Sequence, residues 1–107
     1  MNVIEKVREL GKEIQADERY IKYQEAKLKN DNDAELQQMI GEFNLKRVSL
    51  NAEMSKPDKN QEKLSALDSE IKSLYGNIMA NQAMSEFNDA KNEMDNLLSQ
   101  INMVITA

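Results

Sequence analysis

The chain has no cysteine and no histidine among its 107 residues, a single proline, three glycines and only 5% aromatic residues. Each scarcity closes a class of answers. Without cysteine there is no disulfide framework, no thiol nucleophile and no cysteine-ligated metal. Without histidine the commonest general base is missing, and the serines have nothing to activate them. One proline and three glycines are too few for a turn-rich β-protein and favour long helices. The glycines stand alone at 11, 41 and 76, so no phosphate-cradling loop exists. No window is long and apolar enough to span a bilayer, and the start, MNVIEKVREL, lacks a signal-peptide core.

What remains is 40% hydrophobic and 31% charged residues with a net charge of −5. Acidity of that size argues against direct nucleic-acid binding, because phosphate contacts need clustered Lys and Arg. Carboxylates are plentiful, but the Glu-x-x-His pairs of a helical di-metal site cannot be formed. The seven methionines read as core filling before they read as an adaptable groove. These absences leave a non-enzyme without catalytic, metal or cofactor residues in this stretch, with no small-molecule substrate, no membrane anchor and a cytoplasmic location.

Hydrophobic spacing points to an all-α protein of about four to five helices, one domain over residues 1–107. It reads as an antiparallel bundle containing a long helical hairpin. Val3, Val7, Leu10 and Ile14 mark a first helix with Ile4 beside them. Gly11 inside it reads as a close helix crossing, with a merely tolerated glycine as the alternative. Asp17 looks like the cap of a restart. The second helix carries Tyr20, Tyr23 and Ala26 and ends near Lys29-Asn30. The run Asn30-Asp31-Asn32-Asp33 is the most loop-like stretch. Its alternating Asp and Asn suggest a calcium loop, but the glycine of an EF-hand is missing. Capping by Asn32, with Glu35 as reciprocal partner, is the simpler account.

A third helix from about Asp33 to Ser55 has Leu36, Ile40, Phe43, Leu50 and Met54 on its stripe. Arg47 interrupts that stripe, its stem lying along the core edge or its guanidinium reaching for a partner's carboxylate. The polar turn Ser55–Asn60 joins it to a fourth helix. Leu64, Leu67, Ile71, Leu74 and Ile78 form the cleanest heptad in the chain, a seam suited to coiled-coil packing. Asn81 can cap a last helix bearing Met84, Phe87, Ala90, Met94, Leu97, Leu98, Ile101, Val104 and Ile105. That stripe is broad enough to touch two neighbours. Its members Phe87, Met94, Leu97, Leu98, Ile101, Val104 and Ile105 are the candidate dimer or partner surface; the alternative buries Leu97 and Leu98 in the chain's own core. The helix runs into Thr106-Ala107 without a stop signal, as a fraying end or part of a longer chain would.

The stretches Glu9–Phe43 and Asn81–Ile105 resemble the YlbF/YmcA family of small bacterial helical proteins. The apolar and aromatic positions that match are Leu10, Ile14, Tyr20, Tyr23, Ala26, Leu36 and Phe43, then Phe87, Ala90, Leu97, Leu98 and Ile101, with Asn81 before them. The resemblance implies an all-α, often dimeric fold without catalytic activity. It also implies a regulatory adaptor that assembles with protein partners, in one branch modulating ribonuclease Y and through it RNA maturation, competence, sporulation and biofilm formation. Some members carry cysteines linked to an iron–sulfur cluster; this chain has none, so that cofactor does not carry over. The competing reading is a structural or holdase-like coiled coil working through the 33–80 hairpin.

Overall fold

The computed structural model describes residues 2–107. Five α-helices follow one another: α1 Val3–Ala16, α2 Glu18–Asn32, α3 Ala34–Met54, α4 Gln61–Ala80 and α5 Gln82–Thr106. There is no strand among the described residues, so the periodicity was a sufficient guide to class.

Single residues separate most of the helices, and each is an Asp or Asn with extended backbone. Asp17 has φ −72° and ψ 141°, Asp33 φ −80° and ψ 99°, and Asn81 φ −67° and ψ 133°. Leaving the helical region for one residue frees the next helix's first amides, and the same side chain then accepts from them. Asp17 Oδ1 accepts from the Arg19 amide at 2.8 Å, Asp33 Oδ1 from Leu36 at 3.0 Å and Asn81 Oδ1 from Met84 at 3.0 Å. Two expectations are corrected here. The run expected to be a loop is helical through Asn32, and Asp33, not Asn32, is the cap. The helix reaches that far because the buried Asn30 is held by tertiary bonds: Gln37 Nε2 donates to its carbonyl oxygen at 2.8 Å. Its own Nδ2 meets Met84 Sδ at 3.3 Å.

The chain forms two compact units, Asn30–Ser85 and Met1–Lys29 with Glu86–Ala107. The first is the antiparallel α3–α4 hairpin. Asp33 meets Asn81, Phe43 meets Tyr75, Lys46 meets Glu70 and Glu53 meets Lys63, so positions rise on one helix as they fall on the other. Leu36 is fully buried and Ile78 nearly so, while Ile40, Phe43, Leu50, Leu64, Leu67, Ile71 and Leu74 are half-buried along the seam. The expected heptad of α4 is therefore its packing face.

The turn end of the hairpin departs from the expected stripe. Met54 is 52% exposed, and the neighbouring Glu53 is 3% exposed in its place. A carboxylate is tolerable there because one oxygen accepts a backbone hydrogen bond and the other, which makes no hydrogen bond, is ion-paired. Oε1 accepts from the Asn60 amide at 3.0 Å, and Oε2 lies 3.0 Å from Lys56 Nζ and 3.6 Å from Lys63 Nζ. One anion thus holds the end of α3, the turn and the start of α4. The Asn60 amide and the Lys56 ammonium keep its pKa below the usual glutamate value. Asn60 in turn caps α4 through the Lys63 amide at 3.1 Å.

In the other unit, α2 and α5 run antiparallel. The Tyr23 and Phe87 rings are 5.6 Å apart at 37°, a tilted aromatic contact. The alanines Ala26 and Ala90 are buried with Met94. Helix α1 has no buried residue. Of the two readings of Gly11, tolerance fits: a Cβ built on it meets nothing within 4 Å, so it marks no close crossing.

Candidate interaction surface

The surface is assembled from α5 outward. At about 100° per residue, Phe87, Ala90, Met94, Leu97, Leu98, Ile101, Val104 and Ile105 fall on one side of the helix. Their burial declines along it. Met94 is buried, Phe87, Leu97 and Ile101 are half-buried, and Leu98, Val104 and Ile105 are 47%, 79% and 66% exposed. The expected surface is thus graded: its first members have neighbours within the chain and its last ones lack them. Leu97 and Leu98 divide between the two alternatives, one partly covered and the other open.

Sequence reasoning read the α1 stripe as the mark of a helix, assigned it no partner, and did not single it out as a second apolar surface. Val3, Ile4 and Val7 are 73%, 61% and 53% exposed. They belong to the same compact unit as the end of α5. The signal was present in the sharp amphipathicity of α1; what the pattern could not say is whether its partner lies inside or outside the chain. Isolated exposed apolar residues are ordinary, but two exposed apolar helix ends in one small unit are not.

Polar groups frame this unit without building a reaction centre. Asp17 and Arg19 pair at 2.9 Å, and the Arg19 side chain is the main reason the Asp17 carboxyl is lowered to about 2. Asp33, in the hairpin unit, is also lowered, first by the Leu36 amide and then by Asn81. Each of these shifts is explained by a cap or a local pair, so none marks a poised acid or base. A shallow groove of about 280 Å³ runs between α2 and α5, floored by Ala26 and Ala90 and rimmed by Lys22, Glu25, Lys29 and Glu93 among others. The Lys29–Glu86 pair on its rim is 3.8 Å long and exposed, worth little to stability. Among the described residues no group of three or more acidic, histidine or cysteine side chains is placed to hold a metal ion. No described helix is long and apolar enough to cross a membrane.

Arg47 covers the edge of the core, as one of its two expected roles has it, and the contact is made by its guanidinium. It is exposed, and its guanidinium carbon sits 5.7 Å from the centroid of the Phe43 ring, a cation–π contact one helical turn away. That contact shields the edge of a half-buried aromatic at the hairpin seam.

The distinctive features of this all-α chain are its exposed apolar helix faces and its capped or ion-paired carboxylates. Comparison with protein families is more specific. The model described as "Control of competence regulator ComK, YlbF/YmcA" matches residues 3–107. The chain belongs to the YlbF/YmcA family and is a regulatory protein of that kind. No curated protein and no solved structure matches it.

Proposed function

We propose that this chain is a non-catalytic cytoplasmic adaptor, and that it regulates by docking a protein partner on the exposed apolar faces of α5 and α1. The observation that carries the reading is the gradient along α5. Its stripe is covered at Met94 and bare at Leu98, Val104 and Ile105, although the helix is continuous to Thr106. A helix that keeps large apolar residues on one side beyond its own packing partner is shaped for a partner outside the chain. Within this family the partner of choice is a component of the ribonuclease Y regulatory complex, which would link the chain to RNA processing and competence.

The test is co-precipitation of the tagged chain from its source cells, comparing the unaltered protein with Val104→Asp/Ile105→Asp. Recovery of a ribonuclease Y-associated subunit with the first and its loss with the second supports the proposal. Equal recovery by both removes the α5 surface from it, and recovery of no such subunit by either removes the adaptor reading. A holdase would need an apolar hairpin tip. Ser55–Asn60 is polar and exposed, and Glu53 ties it down.

A further inference from the structure

Among the described residues, α1 is the one helix without a buried side chain, and its half-buried ones, Leu10, Gly11 and Ile14, all lie in its second half. None of its side chains makes a hydrogen bond or an ion pair among those residues. The helix supports itself poorly as well. Every pair of charged residues four apart within it has one sign: Glu5–Glu9, Glu9–Glu13 and Arg8–Lys12. Such pairs destabilise a helix, where opposite charges at that spacing would stabilise it. Opposite charges do stand three apart, as Glu5 and Arg8 do, but none closes into an ion pair among the described residues. Gly11 weakens the interior further without a packing reason, since a Cβ on it meets nothing within 4 Å. A free helix of 14 residues is marginal in water even with a favourable sequence.

The weakness stops at Asp17. Its carboxylate is committed to Arg19 in the turn that follows, at 2.8 to 2.9 Å. No side chain of α2 therefore bonds back to α1; one backbone bond crosses the joint, from the Asp17 amide to the Ile14 carbonyl at 3.1 Å. The joint between α2 and α3 is tied more firmly. Gln37 Nε2 reaches back across it to the Asn30 carbonyl at 2.8 Å and to Asn30 Oδ1 at 3.2 Å. Past Asp17, α2 packs on α5 through Tyr23 against Phe87 and through the buried Ala26. From these observations we infer that α1 is a strap hinged at Asp17. In the free protein it detaches and re-forms while α2 and α5 stay paired. When a helix of a partner protein seats on the α5 stripe, α1 closes over it with Val3, Ile4, Val7, Leu10 and Ile14 against the partner's apolar side. A sharply amphipathic segment too weakly held to stay ordered alone is ordered by the surface that covers its stripe. The single-residue joint keeps the strap in the same compact unit as the end of α5. The closing step rests on the adaptor proposal; the opening does not.

Amide hydrogen exchange of the pure, full chain, read by mass spectrometry, tests the opening. Peptides within residues 3–16 should exchange about 100-fold faster than those within 20–29 and 87–97. Protection of α1 to within about tenfold of those segments overturns the inference. Gly11→Ala combined with Glu13→Lys removes the glycine and makes the pair with Glu9 attractive. It should slow exchange in α1 by about tenfold and leave the other segments unchanged. No slowing would show that the weakness of α1 itself does not set the opening, and overturns the hinge. The closing is tested by the co-precipitation described above, with Arg8→Pro, which bars α1 from forming one continuous helix. That variant should keep the exchange of 20–29 and 87–97 and recover about tenfold less of the partner subunit. Equal recovery overturns the closing. If Arg8→Pro disturbs those segments, the Gly11→Ala/Glu13→Lys chain decides, since a strap more often helical should raise recovery, and unraised recovery overturns the closing too. Recovery of no subunit by the unaltered chain removes the adaptor reading and the closing with it, and the exchange result still decides the opening.

Discussion

The α3–α4 hairpin and the unit formed by α1, most of α2 and most of α5 draw on the same helical periodicity, yet they dispose of it differently. In the hairpin, the α4 seam from Leu64 to Ile78 is half-buried or buried, the joint at Asp33 and Asn81 is bonded across at 3.2 Å, and the turn is held by Glu53. In the other unit the apolar stripes outrun their coverage, and α1 buries nothing completely. Both patterns are regular, from Leu64 to Ile78 and from Val3 to Ile14. The difference is what each stripe meets: α4 turns back along α3, whereas α1 buries no residue.

The contrast can be broken most severely at Leu36, the one fully buried large side chain among the described residues. Leu36→Ala should destabilise the protein by about 3 kcal/mol. For a protein of this size that lowers Tm by roughly 10 °C or more in calorimetry. A change within error would mean that the hairpin is not the stable part.

Glu53→Gln comes next, and its signature is in the pH dependence. The folded-state pKa of Glu53 lies below its ordinary value of 4.5. Its ionised form therefore stabilises the fold above that value, and the contribution is lost as pH falls through the lowered pKa. Denaturation profiles should show the variant weaker at pH 7 and the gap closing below about pH 4. A gap independent of pH would show that packing, not charge, holds the turn.

Asn81→Ala removes the α5 cap together with the bond to Asp33, and should lower stability by about 1 kcal/mol. Gly11→Ala works the other way. With nothing within 4 Å of a new Cβ, it should raise stability by up to about 1 kcal/mol through helix propensity alone. Destabilisation would place an unseen neighbour against α1. The smallest effect on folding belongs to Val104→Asp, expected within about 0.5 kcal/mol of the unaltered chain because the residue is 79% exposed. A large loss of stability there would mean that α5 is covered within the chain, and the comparison drawn above would fail.

Much of the fold was legible beforehand, for reasons visible in particular residues. The α4 heptad from Leu64 to Ile78 identified both the helix and its packing face. Asp17 and Asn81 announced restarts, since a short acceptor side chain before a helical pattern has few other uses. Reading Asn30–Asp33 as a loop failed because local preference was outweighed by bonds from Gln37 and Met84. Gly11 stayed open because a glycine in a helix signals either approach or tolerance, and only neighbours distinguish them. The candidate surface on α5 was legible as a stripe, not as a gradient.

The sequence alone determined that this chain is helical, where its helices restart and which side of each is apolar, because those properties repeat over three to seven residues. Tertiary structure decided which apolar sides are covered. It buried Glu53 and exposed Met54 at the next position, left Val3, Ile4 and Val7 open, and gave α3 a buried Leu36 and an exposed Leu45. Coverage depends on what another segment brings to the same place, and no local period encodes that.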